Sequence, residues 1–217
     1  MADIDIETTI SDIKLFIEKL KSDLPEVFSK DNQEDNTPKE EAAVKEDSDG
    51  KVLFQGQLLP CKIVLDESIK EPQFSLQDGT LTITINNPAE DLPALAESWT
   101  RAQASEILPQ KVASWAQKLG VEYNNIVIKD QKTLWGSCSS KKNLNFSYRL
   151  IKMPLSIIDY LIVHELAHLI HFDHSPEFWA CVGTYVPNYK EARKWLNTNR
   201  YAVMEPCRVK YIPKENA

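Results

Sequence analysis

All four histidines of this chain lie between positions 164 and 174. The first two, His164 and His168, are four residues apart with Glu165 between them, which is the H-E-x-x-H pattern. On an α-helix this spacing places both imidazoles on one face, about 6 Å apart along the axis. Two ring nitrogens can then bind one tetrahedral metal ion, at roughly 2.0–2.1 Å each. The pattern therefore requires a helix that carries two ligands and a chain that brings a third ligand back to them.

The sequence around the pattern predicts a buried helix that begins near Ser156. Residues 157–170 are mostly apolar, and Ser156 with Asp159 three residues later is a capping-box signature. Polar residues interrupt the apolar run, so it does not predict a membrane-spanning segment. Ser175-Pro176 predicts the start of the next helix, with Ser175 as its N-cap.

A hydrolytic zinc site needs three protein ligands and leaves one position for water. His174 is the predicted third ligand: the helical pattern restarts at Ser175, so the chain bends after His168 and can return His174 to the ion. The spacing is that of H-E-x-x-H-x-x-G-x-x-H, with His171 in place of Gly, and histidine tolerates a positive φ better than most residues. In a straight helix His171 would lie about 10 Å along the axis from His164, too far for one ion. Three other third ligands stay open: His171, Glu177 and Glu191.

Acidic residues are concentrated in an N-terminal arm, residues 1–50. The arm has 15 acidic and 6 basic side chains, whereas residues 51–217 have 17 and 19 and are nearly neutral. Apolar residues at helical spacing predict an amphipathic helix over 3–21, and the polar remainder of the arm predicts a disordered linker. Because the main part of the chain has no basic stripe, no nucleic-acid partner is expected.

The cysteines and the N-terminus indicate a cytoplasmic protein. The sequence begins with acidic residues and has no signal peptide, and no segment predicts a membrane span. The cysteines form no C-x-x-C pair, so four reduced thiols are expected. They are Cys61, Cys138, Cys181 and Cys207.

Short strands are predicted on both sides of a long helix. The helix covers 91–119, is interrupted at Pro109 and ends at Gly120. A turn is expected at Lys141-Lys142-Asn143, and a last helix over 187–199. The predicted strands are 51–56, 59–66, 72–77 and 80–86 before the long helix, and 125–129, 133–137 and 143–150 after it.

Three motifs together resemble the YgjP-like metallopeptidase family, whose members are compact zincins of the minigluzincin type, related to SprT-like proteases. They are W-G-S-C-S at 135–139, H-E-L-A-H at 164–168 and H-S-x-x-F-W at 174–179. The resemblance runs from about Trp99 to Tyr201, more loosely back to Val52, and leaves out the arm. It implies zinc held by His164, His168 and His174, with Glu165 as the catalytic base.

The expected fold is therefore α+β. A compact zincin-like domain over 91–203 has a small, mostly antiparallel sheet and the H-E-x-x-H helix. A β-hairpin region over 51–90 packs on this domain, the acidic arm of 1–50 precedes it, and a tail of 204–217 ends the chain. The sequence gives no indication of the oligomeric state.

The expected chemistry is hydrolysis by a zinc-bound water, whose pKa the ion lowers toward about 7. Glu165 would take the proton and pass it to the leaving group. Residues 143–150 are expected to border the cleft and to accept an extended peptide by β-augmentation. Candidate donors to the oxyanion are Arg149, Tyr148 and His171.

Several side chains near the site have an expected structural role. The small residues beside Trp135 would let a strand cross close to the metal helix, and Cys138 is expected to pack rather than to act as a nucleophile. Phe178 and Trp179 are expected to pack against the metal helix. A carbonyl or a carboxylate, with Asp173 and Asp159 as candidates, should orient the imidazoles.

The predicted function is a zinc-dependent metallopeptidase acting on peptides or proteins. One alternative is a metal-dependent phosphohydrolase acting on nucleotides, in which Arg149 or Lys141-Lys142 would contact phosphate, although no Gly-rich phosphate loop is present. The other is a non-catalytic, metal-stabilised binding module. Glu165 counts against that module, because a structural site uses a fourth protein ligand instead of a base.

Overall fold

A four-stranded mixed sheet begins the part of the chain that the computed structural model describes, residues 50–207 and 209. The helix and linker predicted for the arm lie outside these residues. Strand order is β1-β2-β4-β3, with antiparallel hairpins β1/β2 and β3/β4 and a parallel central pair. Each strand begins and ends within two residues of its predicted range: β1 (Lys51–Phe54), β2 (Gln57–Leu65), β3 (Gln73–Gln77) and β4 (Thr80–Ile85).

Both hairpin turns and the alternation of β4 follow from local sequence. Gln55-Gly56 and Asp78-Gly79 have positive φ at both positions, which is the geometry of a type I′ turn. In β4 the aliphatic residues face the core and the threonines are only half-buried, as its strict alternation predicts.

The long helix α1 (Leu92–Leu119) continues through Pro109, so the predicted interruption is wrong. Proline leaves the carbonyl of the residue four positions earlier without its helical partner. That residue, Ser105, is exposed, so water can bind the carbonyl. Leu108 and Val112 are fully buried, so the helix packs against the core on both sides of Pro109 along the chain. Asp91 caps the helix, and Gly120 ends it with φ +66°, as predicted.

A three-stranded sheet follows, in the order β5-β7-β6, with β5/β7 parallel and β6/β7 antiparallel. Its strands are β5 (Asn125–Lys129), β6 (Gly136–Cys138) and β7 (Asn143–Ser147). The strand predicted over 133–137 is thus displaced toward 138. The strand predicted over 143–150 ends early, because Ser147 Oγ accepts a hydrogen bond from the backbone of Arg149 and starts a 3₁₀ helix, Tyr148–Lys152.

Three helices complete the described chain: α2 (Leu155–Ala167), α3 (Pro176–Tyr185) and α4 (Tyr189–Met204). The predicted capping box of α2 is wrong. The carbonyl of Pro154 accepts the first backbone hydrogen bonds, and Asp159 accepts instead from Lys111 Nζ at 2.7 Å and Trp115 Nε1 at 2.8 Å on α1. The predicted cap of α3 is confirmed, since Ser175 Oγ accepts from the backbone of Phe178. The last helix lies later in the chain than its predicted range of 187–199.

The β1/β2 turn packs against the segment that leads into α2. The backbone N–H of Gln55 donates to the Ile151 carbonyl at 2.7 Å, and that of Gly56 donates to Lys152 at 3.0 Å. A Cβ on Gly56 would lie 2.9 Å from Pro154, so the turn and the start of the helix are in direct contact. None of the described helices is both long enough and apolar enough to cross a lipid bilayer.

Candidate active site

Helix α2 brings His164, Glu165 and His168 to the wall of one cleft. The rings of His164 and His168 are 5.0 Å apart between centroids, as the i, i+4 spacing requires. Both imidazoles are half-buried, whereas Glu165 is buried, with 6% of its surface exposed.

The chain bends directly after His168 and returns His174 to the other two imidazoles. The N–H groups of Ile170 and His171 both donate to the Ala167 carbonyl, which closes the last turn, and Ser175 then caps α3. The Nε2 atoms of His174 and His164 are 3.2 Å apart. One ring nitrogen from each of His164, His168 and His174 lies within 4.8 Å of the others, so the three can share an ion.

The alternative third ligands do not join this group within the described residues. His171 lacks the positive φ that was considered for it, since the described non-glycine residues with positive φ are at other positions. It contributes its carbonyl oxygen instead, 3.1 Å from Nδ1 of His168. This acceptor favours the proton on Nδ1 and leaves Nε2 for a metal, the orienting role that was expected of a carbonyl. Glu177 and Glu191 are exposed.

Burial keeps His164 and His168 neutral and therefore able to bind a metal. Burial, together with the charges of protonated His168 and His174, lowers the pKa of His164 to about 3. Burial also lowers the pKa of His168, against the raising effect of its bond to the His171 carbonyl. Because metals bind the neutral ring, these donors are prepared for a divalent ion at neutral pH.

Aromatic rings pack around the three imidazoles, which confirms the predicted packing of Phe178 and Trp179. The ring of Phe178 is fully buried and lies 4.6–5.0 Å from the rings of His164, His168 and His174. Trp179 stacks on His174 with an interplanar angle of 25°. These contacts hold the third imidazole in place, although its side chain is exposed.

The cleft in front of the imidazoles has a volume of about 490 Å³. The opposite wall of the cleft is the edge strand β6. The prediction that residues 143–150 border the cleft is therefore wrong, because β7 lies in the centre of the sheet. Leu134 and Phe172 line the cleft and are 53% and 68% exposed. The lining residues are Leu134, Trp135, Gly136, Ser137, Cys138, Tyr160, Leu161, His164, Glu165, His168, Phe172 and His174.

The candidate oxyanion donors do not line the cleft. Tyr148 is buried, and its hydroxyl donates to Glu97 at 2.9 Å. Arg149 forms an ion pair with Asp130. His171 is not among the lining residues. Of the carboxylates considered for orienting the imidazoles, Asp159 binds α1, as described above, and Asp173 accepts from the backbone of Ser175.

Two cleft residues did not emerge as site residues from the sequence. The ring of Tyr160 lies edge-on to His164, with centroids 5.9 Å apart, and its position four residues before His164 was the available signal. Gly136 lies against Glu165. The other small residue of this segment, Cys138, has a thiol whose pKa is raised by burial and by Glu165, so the thiol stays protonated, as its expected packing role requires.

Comparison with known families gives a match to the YgjP-like metallopeptidase domain over residues 3–199. The match includes most of the arm, so the expectation that the resemblance excludes residues 1–50 is wrong. The search of curated proteins found no match. Among solved structures, the chain is similar to the metallopeptidase zymogen of Pyrococcus abyssi abylysin. That similarity has 21% sequence identity and a TM-score of 0.39, and it covers 42% of this chain and 93% of the other. Since the family match spans most of its length, this chain belongs to the YgjP-like metallopeptidase family.

Proposed function

We propose that this protein is a zinc-dependent metallopeptidase in which His164, His168 and His174 hold the ion and Glu165 is the general base. The convergence of three imidazole nitrogens within 4.8 Å, beside a buried carboxylate, is the observation that carries the proposal. Structural zinc sites use four protein ligands, whereas catalytic sites use three and leave one position open. Within the described residues no fourth Cys, His, Asp or Glu joins the group.

Zinc suits this donor set, because three neutral imidazoles are typical ligands of that metal. When bound, it would acidify a coordinated water and polarise the carbonyl of the scissile peptide bond. Glu165 lines the same cleft and is not one of the converging ligands. Its carboxylate takes the proton of the attacking water and returns it to the nitrogen of the leaving amine.

The edge of β6 is suited to hold an extended peptide. Trp135 O accepts from Ser147 N at 2.8 Å, and Ser139 N donates to Asn143 O at 3.0 Å. These two residues directly flank β6, and their backbone groups face β7. Antiparallel pairing alternates, which turns the backbone groups of Gly136 toward the free edge and the cleft. A substrate strand would pair with this edge, and its side chains would contact the apolar Leu134 and Phe172. The expected substrates are therefore peptides or proteins.

The alternative functions have less support in the cleft. A phosphohydrolase needs cations to bind phosphate, yet no lysine or arginine among the described residues lines the cleft, and Arg149 is paired with Asp130. A non-catalytic module would leave the buried Glu165 beside the ligands without a purpose. We also propose a cytoplasmic location and no nucleic-acid partner; the location rests on the four cysteines, which all fall within the described residues and form no disulfide.

We expect the His174→Ala variant to lose its metal. Removing one of three ligands should lower the affinity for zinc by more than roughly 100-fold, beyond the loss caused by changing an outer partner of a ligand. Elemental analysis after dialysis, together with titration of zinc into metal-free protein, measures the change.

His171→Ala is the matched control. It removes an imidazole three residues away but keeps the carbonyl that contacts His168, so zinc binding should be retained. Equal zinc loss in both variants, or zinc retention by His174→Ala, would show that His174 is not the third ligand.

A further inference from the structure

The backbone of Gly136 lies directly against the side chain of Glu165. A Cβ at position 136 would lie 2.7 Å from Cγ and Oε1 of Glu165 and 2.9 Å from Cδ. Contacts this short force one of the two groups to move. Glu165 cannot swing freely away, because only 6% of its surface is exposed.

Glycine is required at position 136 because there is no room for a side chain, not because of the backbone conformation. The described glycines with positive φ are Gly50, Gly56, Gly79 and Gly120, and Gly136 is not among them. An L-residue could therefore adopt the backbone of Gly136 as an extended residue of β6. The obstacle to a side chain is the carboxylate opposite.

The carboxylate of Glu165 has no hydrogen-bond donor that would fix it among the described residues. Those residues make many side-chain hydrogen bonds, for example the three donated to Glu97, but none of them reaches Glu165. Its position is set by packing, and Gly136 of β6 lies against it.

We propose that Gly136 is a positioning residue for Glu165. The missing side chain lets the backbone of β6 form a wall that confines the carboxylate beside the imidazoles, at the strand whose free edge faces the cleft. The proposal rests on the proposed function, in which Glu165 is the base. A larger residue would displace the carboxylate or push β6 outward, and a misplacement of about 1 Å costs roughly 10²-fold in rate.

The test is a double-mutant cycle on the full chain, with Gly136→Ala and Glu165→Ala alone and combined. In metal-free protein, Gly136→Ala should lower the unfolding midpoint temperature by about 5 °C, as expected for one overpacked methyl group. In the Glu165→Ala background the side-chain atoms that oppose the new methyl group are absent, so Gly136→Ala should leave the midpoint temperature unchanged. An equal fall in midpoint temperature in both backgrounds would show that Glu165 does not oppose a side chain at position 136. This outcome does not depend on whether the protein hydrolyses peptides.

The kinetic arm tests positioning itself. With zinc bound, Gly136→Ala should lower kcat about 10²-fold, with KM changed less than about threefold and the affinity for zinc unchanged. In a Glu165→Gln background it should have no further effect on kcat. A large rise in KM with unchanged kcat would show that the added methyl group obstructs substrate binding and leaves the base in place.

Gly183→Ala is the matched control. Gly183 lies in α3 with an ordinary φ, and its Cβ would come no closer than 3.4 Å to Tyr189. Alanine favours a helix more than glycine does, so this variant should not lower the midpoint and should keep the wild-type kcat. Absence of peptide hydrolysis in the wild type would refute the proposed function, and the thermal cycle would still decide the contact between Gly136 and Glu165.

Discussion

The Glu165→Gln variant should bind zinc as the wild type does and hydrolyse peptides about 10²–10⁴-fold more slowly, the usual contribution of a general base. The carboxylate does not belong to the group of converging ligand atoms, so its replacement leaves three imidazoles for the metal. Glutamine has nearly the same shape and can occupy the same space against β6. It cannot take a proton from water, so the loss should fall on kcat.

Fluorogenic peptides with an internal quencher measure this rate, and elemental analysis of the same preparations measures the metal. Glu177→Gln makes the same change at an exposed carboxylate in the first turn of α3, where it should alter neither quantity. Full turnover by Glu165→Gln would rule out Glu165 as the base. Loss of zinc from that variant would instead place Glu165 among the ligands.

The same preparations separate the alternative functions. A nucleotide mixture assayed for phosphate release should show no hydrolysis, because within the part of the chain that the structure describes no lysine or arginine lines the cleft. Phosphate release that disappears in Glu165→Gln, together with no peptide cleavage, would establish the phosphohydrolase. Zinc-loaded wild type without either activity would favour a non-catalytic binding module.

The convergence of the three imidazoles could be predicted from sequence because its geometry is local. The i, i+4 spacing on α2 determines where His164 and His168 point. The serine cap of α3 and the short connection before it restrict where His174 can lie. Interactions between neighbours in sequence therefore bring the three imidazoles together.

The features that sequence did not predict depend on distant contacts. Periodicity identified 143–150 as a strand, but only the pairing of β7 with both β5 and β6 makes β6 the edge at the cleft. Asp159 had the spacing of a cap and instead bonds to Lys111 and Trp115, residues 48 and 44 positions away. Arg149 and Tyr148 were chosen for their chemistry, and their partners Asp130 and Glu97 come from other elements.

The Lys152→Met variant should lose about 3–5 kcal/mol of its free energy of unfolding at pH 7, the usual cost of removing one partner of a buried ion pair. Lys152 is 2% exposed, and its Nζ donates to Glu97 at 2.7 Å and to the carbonyl of Glu205 at 3.2 Å. Glu97 also accepts from Tyr148 and from the backbone of Cys207. The pair thus joins α1 to the 3₁₀ helix before α2 and to the chain after α4.

The pH dependence of this loss distinguishes charge from packing. Burial alone would raise the pKa of Glu97, but the charge of Lys152 and the donated hydrogen bonds outweigh it and lower that pKa. In the wild type this stabilisation is therefore complete above the unfolded pKa of about 4.3 and is lost as pH falls through the lower folded value. In Lys152→Met burial is no longer opposed by a positive charge, so the pKa of Glu97 rises and ionisation destabilises the fold as pH increases. Urea unfolding in the presence of a chelator should therefore show that Lys152→Met loses less free energy of unfolding at pH 4 than at pH 7.

Adding Glu97→Gln to Lys152→Met should recover most of the lost free energy of unfolding at pH 7, because no uncompensated charge is then buried. An equal deficit at both pH values would mean that Lys152 stabilises the fold through the packing of its aliphatic chain.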